Sequence, residues 1–307
     1  MASMRRVVAA EVLAALVTLS AGCAGHSTRS AAGAGRVLQV VAAENFWGSI
    51  AAQLGGSRIQ LESVITSPAT DPHDYEPTAA DARTIAGARM AIVNGIGYDP
   101  WAQKLIAANP VSGRIVLNVG DLVAIKPGGN PHRWYSPTDV QLMIDAIVSD
   151  YEKLDRKDSV YFAQQKTRFE TNGLAQYKQL IAAIKRKYHG VAVGASESIF
   201  APLAQALGLR LLTPPRFLKA ISEGTDPAAA DKTTIDRQIA QKQIKVWVFN
   251  SQNGTPDVKR ITDAARKRGI PITTITETLV PASASFQDWQ SRQLRALAAS
   301  LAQATGR

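Results

Sequence analysis

The chain has a single cysteine, Cys23, in 307 residues, so no internal disulfide can form and stability must come from packing. Histidine is scarce as well, four in all, which leaves few strong donors for a transition-metal ion. No HExxH pair occurs, so the helical zinc-hydrolase arrangement is absent. Aromatics make up 6% of residues, and no nucleic-acid motif accompanies the formal net charge of +10. The basic residues are scattered, and the modest cluster Lys185, Arg186, Lys187 reads as a solvated helix face, so no nucleic-acid partner is expected. The charge suits an anionic surface such as a membrane or cell envelope. The apolar run at 7–19 is too short to cross a bilayer as a helix.

That run still carries information about location. Arg5 and Arg6 precede it, Glu11 alone interrupts it, and Ser20, Ala21 and Gly22 lead into Cys23. A charged start, a short apolar segment and a small-residue cleavage site make a signal peptide over residues 1–22. The placement of Cys23 directly after Ala-Gly resembles a bacterial lipobox, although Ser20 stands where leucine is commoner. The resemblance implies that Cys23 is lipidated and holds the mature chain outside the cytoplasm, on the cell membrane. Ordinary secretion with a chance cysteine is the alternative. Residues 23–35 are small, polar and glycine-rich, and read as a flexible tether.

Beyond the tether, apolar strand-like runs alternate with helical patterns, as in βαβ units around parallel sheets. Strands are expected at 37–43, 58–65, 90–93, 115–119, 191–193, 209–212, 245–249 and 272–275. Thr78 with Asp81 forms an acidic capping box, and Ser136-Pro137 offers a serine cap with proline in the first turn, so a helix starts at each. In 159–188, Leu174, Tyr177, Ile181, Ile184 and Tyr188 recur at steps of three and four, which predicts one long helix with a buried face. Such a helix reaches about 45 Å, enough to run behind two lobes and join them. The expected fold is α/β, with a parallel sheet in each lobe. Residues 36–157 form one lobe, 158–188 a spine helix, and 189–307 the second lobe.

Two of the histidines sit in similar settings. His73 lies in Asp71-Pro72-His73-Asp74-Tyr75-Glu76-Pro77, after the 58–65 strand. His132 lies in Asn130-Pro131-His132-Arg133-Trp134, past the 115–119 strand. Each follows a proline, which fixes the backbone, and each precedes a capped helix. Loops leaving the C-terminal ends of parallel strands converge on one edge, where ligands bind, so the two imidazoles can share one ion. A lone histidine after a turn is more often a surface residue; the repeated Pro-His pattern argues against that here. His26, in the tether, and His189, closing the long helix where it complements the dipole, have sufficient structural reasons. Two imidazoles do not complete a site, so carboxylates are expected from the second lobe. Glu197 follows the 191–193 strand and Glu277 the 272–275 strand. Alone, each has a structural explanation; together they occupy in lobe two the places of the histidines in lobe one.

The segments Asp71-Pro72-His73…Tyr75-Glu76-Pro77 and Asn130-Pro131-His132…Trp134 resemble the paired motifs of the metal-specific solute-binding proteins of bacterial ABC importers, the cluster 9 (A-I) group. The likeness covers essentially the whole mature chain, including Thr213-Pro214-Pro215, Ile221-Ser222-Glu223-Gly224 and the segments 243–250 and 269–279. It implies a monomeric, non-enzymatic protein that captures one divalent ion, zinc or manganese, as cargo for a membrane permease. It also implies that His73 and His132 are the first two ligands. Glu197 falls where the family has histidine or glutamate, and Glu277 near the final acidic ligand. Two departures stand out. Ser136 replaces the aspartate that commonly follows the second motif, and no histidine-rich acidic loop separates the two motifs, as it does in many zinc-specific members. Hard oxygen donors favour manganese, whereas the Irving–Williams order favours zinc. Two other functions fit parts of the pattern. One is a zinc-dependent hydrolase, since catalytic zinc also takes three protein ligands. The other is a surface adhesin, a description often given to related lipoproteins.

Overall fold

A computed structural model describes residues 37–307; the signal peptide, Cys23, the tether and His26 lie outside the described residues. The first lobe contains β1 (Leu38–Glu44), α1 (Asn45–Gly55), β2 (Ile59–Ile65), α2 (Ala79–Gly87), β3 (Met90–Val93), α3 (Pro100–Ala108), β4 (Ile115–Asn118), the single turn α4 (Val119–Leu122) and α5 (Pro137–Leu154). Next come α6 (Ser159–Arg168) and α7 (Ala175–Tyr188). The second lobe contains β5 (Ala192–Ala195), α8 (Ala201–Ala206), β6 (Arg210–Leu211), α9 (Pro215–Ser222), α10 (Ala229–Ala240), β7 (Val246–Asn250), α11 (Pro256–Lys267), β8 (Ile272–Ile275) and α12 (Phe286–Thr305).

Each lobe is built on a four-stranded parallel sheet, ordered β2-β1-β3-β4 in the first and β6-β5-β7-β8 in the second. In both, the chain reverses its direction of travel across the sheet after the first pair. The loops there diverge and leave a crevice at the strand C-termini. The strands are apolar because helices cover both faces: all four residues of β3, Met-Ala-Ile-Val, are buried. Both capped starts form. Thr78 and Asp81 make a reciprocal box, and Ser136 accepts the Asp139 N–H with Pro137 in the first turn. Helices α3 and α9 were not foreseen; each is short and starts on a proline. No helix among the described residues is long and apolar enough to cross a membrane.

Residues 159–188 do not form the single helix that the periodicity predicts. Between α6 and α7 lies a π-helical segment, Phe169–Gly173, closed by the Leu174 N–H donating to Phe169 O at 2.8 Å. Gly173 sits against the Phe169 ring, where an added Cβ would stand 2.9 Å from it. The wider turn absorbs an extra residue while Phe169 and Leu174 both stay buried. An apolar stripe is therefore preserved across the interruption, and the sequence pattern runs straight through it.

A second brace comes from α12. Its first residues reach the other lobe: Phe286 N donates to Ser49 Oγ at 2.9 Å, and the Gln53 and Gln287 side chains exchange hydrogen bonds. Just before it, Leu279 N donates to Asn45 Oδ1. The main hydrophobic cluster accordingly runs through both lobes, from Phe46 and Trp47 by way of Tyr177 to Phe286 and Trp289. All of that core lies within residues 37–307.

Candidate metal centre

The loop after α4 carries Asn130-Pro131-His132 into the cleft between the lobes. Asn130 Oδ1 accepts from His132 N at 3.0 Å and lies 2.8 Å from His132 Nδ1. Its Nδ2 donates to Ser198 O of the second lobe at 2.7 Å, which leaves the amide one orientation. Nδ1 therefore carries the ring proton, and Nε2 keeps its lone pair. Nε2 is buried without a hydrogen-bond partner and stands 3.5 Å from Glu277 Oε2. Burial holds the His132 pKa down at about 4, so the ring is neutral in the physiological range.

Two carboxyl groups face it from the second lobe. Glu197 leaves β5 in extended backbone, and Glu277 follows β8. Asn250, the last residue of β7, stands between them. Its Nδ2 donates to Glu197 Oε1 and to Glu277 Oε1, both at 2.8 Å. The remaining oxygens are held too: Asn253 Nδ2 donates to Glu197 Oε2 at 2.6 Å, and Tyr98 of the first lobe donates to Glu277 Oε2 at 2.9 Å. Gln252 Oε1 accepts the N–H groups of Glu277 and Thr278, which fixes the backbone beneath the carboxyl. Burial, aided by repulsion from Glu277, raises Glu197 to about 8. Burial raises Glu277 to about 7, with hydrogen bonds from Glu197, Tyr98 and Asn250 opposing the rise. Its side chain also keeps 13% exposure, at the mouth of the cleft.

One donor atom each from His132, Glu197 and Glu277 fall within 4.8 Å of one another. His73 stands outside that group. It lies on the loop between β2 and α2, half-buried, with its N–H bonded to Asp71 Oδ1 at 2.9 Å. Its ring centroid is 4.6 Å from that of Tyr98 and 6.5 Å from that of His132. Burial, then the neighbouring His132, push its pKa down. The cleft opens on either side of His73, one mouth lined by Gly128, Pro131 and Leu218 and the other by Asp71, Asp74 and Glu223. His189 caps α7 at the opposite, N-terminal edge of the second sheet, exposed to solvent.

The chain as a whole has known relatives. The family model for ZnuA, the periplasmic component A of a zinc-uptake complex, matches residues 40–300. The chain belongs to the ZnuA family. The manganese-binding lipoprotein MntA of Halalkalibacterium halodurans is 25% identical over 157 residues, covering 50% of this chain and 51% of its own. The metal ABC transporter substrate-binding lipoprotein FimA of Streptococcus parasanguinis is 27% identical over 191 residues, with coverages of 58% and 59%. The chain thus spans between 51% and 59% of the length of these two relatives. Among solved structures, the periplasmic zinc-binding protein TroA of Treponema pallidum matches with a TM-score of 0.71 at 18% identity, over 87% of this chain and 99% of TroA. The likeness bears out the two-lobed α/β fold.

Within this ZnuA-family fold, sequence reasoning missed the residues that hold the donors in place. Tyr98, Asn250, Gln252 and Asn253 carry no motif of their own. Asn250, Gln252 and Asn253 do leave a strand C-terminus, as Glu197 and Glu277 do, and the same positional rule applied to β7 finds them. Tyr98 gives no comparable signal, because it reaches Glu277 across the cleft only once both lobes are assembled.

Proposed function

We propose that this chain binds one divalent transition-metal ion, zinc or manganese, between its lobes and delivers it to the permease of an ABC importer. The observation that carries the reading is the buried, unpartnered His132 Nε2 aimed at two carboxyl groups from the other lobe. A buried lone pair without a donor costs free energy unless something electrophilic occupies the space, and a dication does so. The substrate's ligands are His132, Glu197, Glu277 and His73, the last supplied by a small swing of its loop from its place beside Tyr98. Two neutral imidazoles and two ionised carboxylates cancel the charge of a dication. Binding therefore releases the protons that the carboxyls hold in the empty protein.

Ligands drawn from both lobes couple ion binding to lobe position. We take the lobes as residues 36–157 and 189–307, joined by 158–188. With α12 bracing them as well, release proceeds through a modest tilt or through the His73 loop. The protein acts as a monomer and is not an enzyme, since every acid of the cluster serves as a ligand. Its place is outside the cytoplasm, held at the membrane by lipidation of Cys23. The relatives' names for manganese-binding and transporter lipoproteins support this reading, as does the zinc-uptake family. The test is metal analysis of protein purified from its native envelope, paired with competition between zinc and manganese. Protein that carries neither metal and gains no stability from either refutes the proposal.

A further inference from the structure

The charge of this molecule is unevenly distributed. In βα units the helices run antiparallel to the strands, so the C-termini of α7, α10 and α11 lie at the N-terminal edge of the second sheet, away from the metal cleft. Lys185, Arg186 and Lys187 end α7, and Arg237 lies in the last turn of α10. Lys242 and Lys245 lead into β7, and Arg266, Lys267 and Arg268 end α11. Arg210 opens β6, and Arg307 lies beside Tyr188. All eleven are exposed. The acids among them are Asp236, next to Arg237, and Asp263, so this pole carries a net +9, whereas residues 37–307 in total carry +7, from 31 Lys and Arg against 24 Asp and Glu. The rest of the described protein is therefore net negative.

Basic residues at helix C-termini are favoured by the helix dipole, and that alone accounts for some of them. The first lobe supplies the internal comparison. At its equivalent edge, Arg58 pairs with Asp158 at 3.1 Å, Arg89 donates to Ser112 O, and Arg114 donates to the carbonyls of Ala88, Ile85 and Asn109. Those three arginines are engaged by the fold, and the exposed Arg156 and Lys157 beside them are flanked in sequence by Asp155 and Asp158. At the pole of the second lobe only Arg266, paired with Asp263, and Arg268, bonded to Ala240 O, are engaged in this way. Arg210, Lys242, Lys245 and Arg307 instead surround one shallow recess.

We propose that this pole is a contact surface for a bilayer bearing anionic phospholipid headgroups. Long, unpaired side chains spread over the ends of three helices suit a diffuse, laterally mobile array of charge. A duplex nucleic acid would call for an element shaped to enter a groove, and the pole presents helix ends instead. Among the described residues, the large exposed apolar side chains are Val37, Val116, Leu142, Val160 and Val280, none of them at this pole. Adsorption there is therefore electrostatic, without insertion, and salt reverses it.

The test uses residues 37–307, which contain the whole described core, so that no acyl chain or signal segment contributes. Co-sedimentation is measured with vesicles of phosphatidylcholine alone and of phosphatidylcholine mixed with phosphatidylglycerol. One variant changes Lys185, Arg186, Lys187, Lys242 and Lys245 to Gln; a control variant changes Arg83, Lys104, Lys126, Lys157 and Lys259 to Gln. The parent and the control should bind the anionic vesicles at least about tenfold better than the neutral ones, and the pole variant should lose that preference. Metal-induced thermal shifts, measured in parallel, should be the same in all three, which keeps this test separate from the metal reading. Equal loss in both variants, or no preference for anionic vesicles, overturns the proposal. Tight binding to a soluble polyanion without vesicle binding overturns it as well.

Discussion

Raising the pH from about 6.5 to about 8.5 should tighten metal binding by roughly a hundredfold, or about 3 kcal/mol. The magnitude follows from the two buried carboxyls. Glu197, held at about 8, and Glu277, at about 7, are largely protonated at the lower pH and ionised at the upper one. An ion that needs both carboxylates must displace those protons, and each displaced proton costs about a factor of ten in affinity per pH unit. His132, held at about 4, is already neutral throughout this range and adds nothing to the slope. The metal-free protein responds in the opposite sense. Unfolded glutamates titrate at about 4.3, so between there and about 8 the folded chain binds the extra protons. The stability these groups contribute is complete below the unfolded value, and it is lost as pH rises through about 7 and about 8. Apo and metal-loaded melting curves should therefore diverge as pH increases. The assay is calorimetric titration in buffers of different ionisation enthalpy, which counts protons directly; at neutral pH binding should release about one to two. Release of no protons, with affinity flat over the range, refutes the assignment of Glu197 and Glu277 as ligands.

Three further outcomes bear on the same site and on the anchor. An ion at about a thousand times its Kd stabilises the fold by about 4 kcal/mol, and the His73→Ala, His132→Ala double variant should show none of the corresponding rise in Tm. His132→Ala alone should cost more than His73→Ala, since His132 lies within the cluster and His73 beside it; equal Tm gains in wild type and double variant place the site elsewhere. Glu197→Gln sets an amide against the donor groups of Asn250 and Asn253 and removes a negative charge, so calorimetry should show affinity lowered by at least about tenfold. Glu277→Gln should act in the same direction, and wild-type affinity in either variant removes that residue from the ligand set. Cys23→Ala should release the protein from the membrane fraction or leave unprocessed precursor on fractionation and immunoblotting. A fully processed variant retained at the membrane contradicts lipidation.

The α/β class, eight strands close to their observed positions and both helix caps were legible in the chain because each depends on residues near one another in sequence. Alternating apolar runs, a serine before a proline and a threonine three residues before an aspartate act locally. The four proposed ligands were legible for a related reason: parallel strands carry whatever follows them to one edge, so position along the chain maps onto position at the cleft. What sequence could not decide was anything set by the meeting of distant segments. The π turn at Phe169–Gly173 keeps the apolar stripe aligned, so periodicity alone cannot expose it. The bracing of α12 against α1 depends on polar side chains, Ser49, Gln53 and Gln287, that look like ordinary surface residues until the lobes are joined. The state of the site was decided in the same way. Asn130 selects the His132 tautomer by anchoring itself on Ser198, and Asn250 draws two glutamates 80 residues apart in sequence onto a single amide. The chain by itself determined which residues reach the cleft. Only tertiary structure, by removing water and fixing the neighbours of each charge, decided which of them carry protons there.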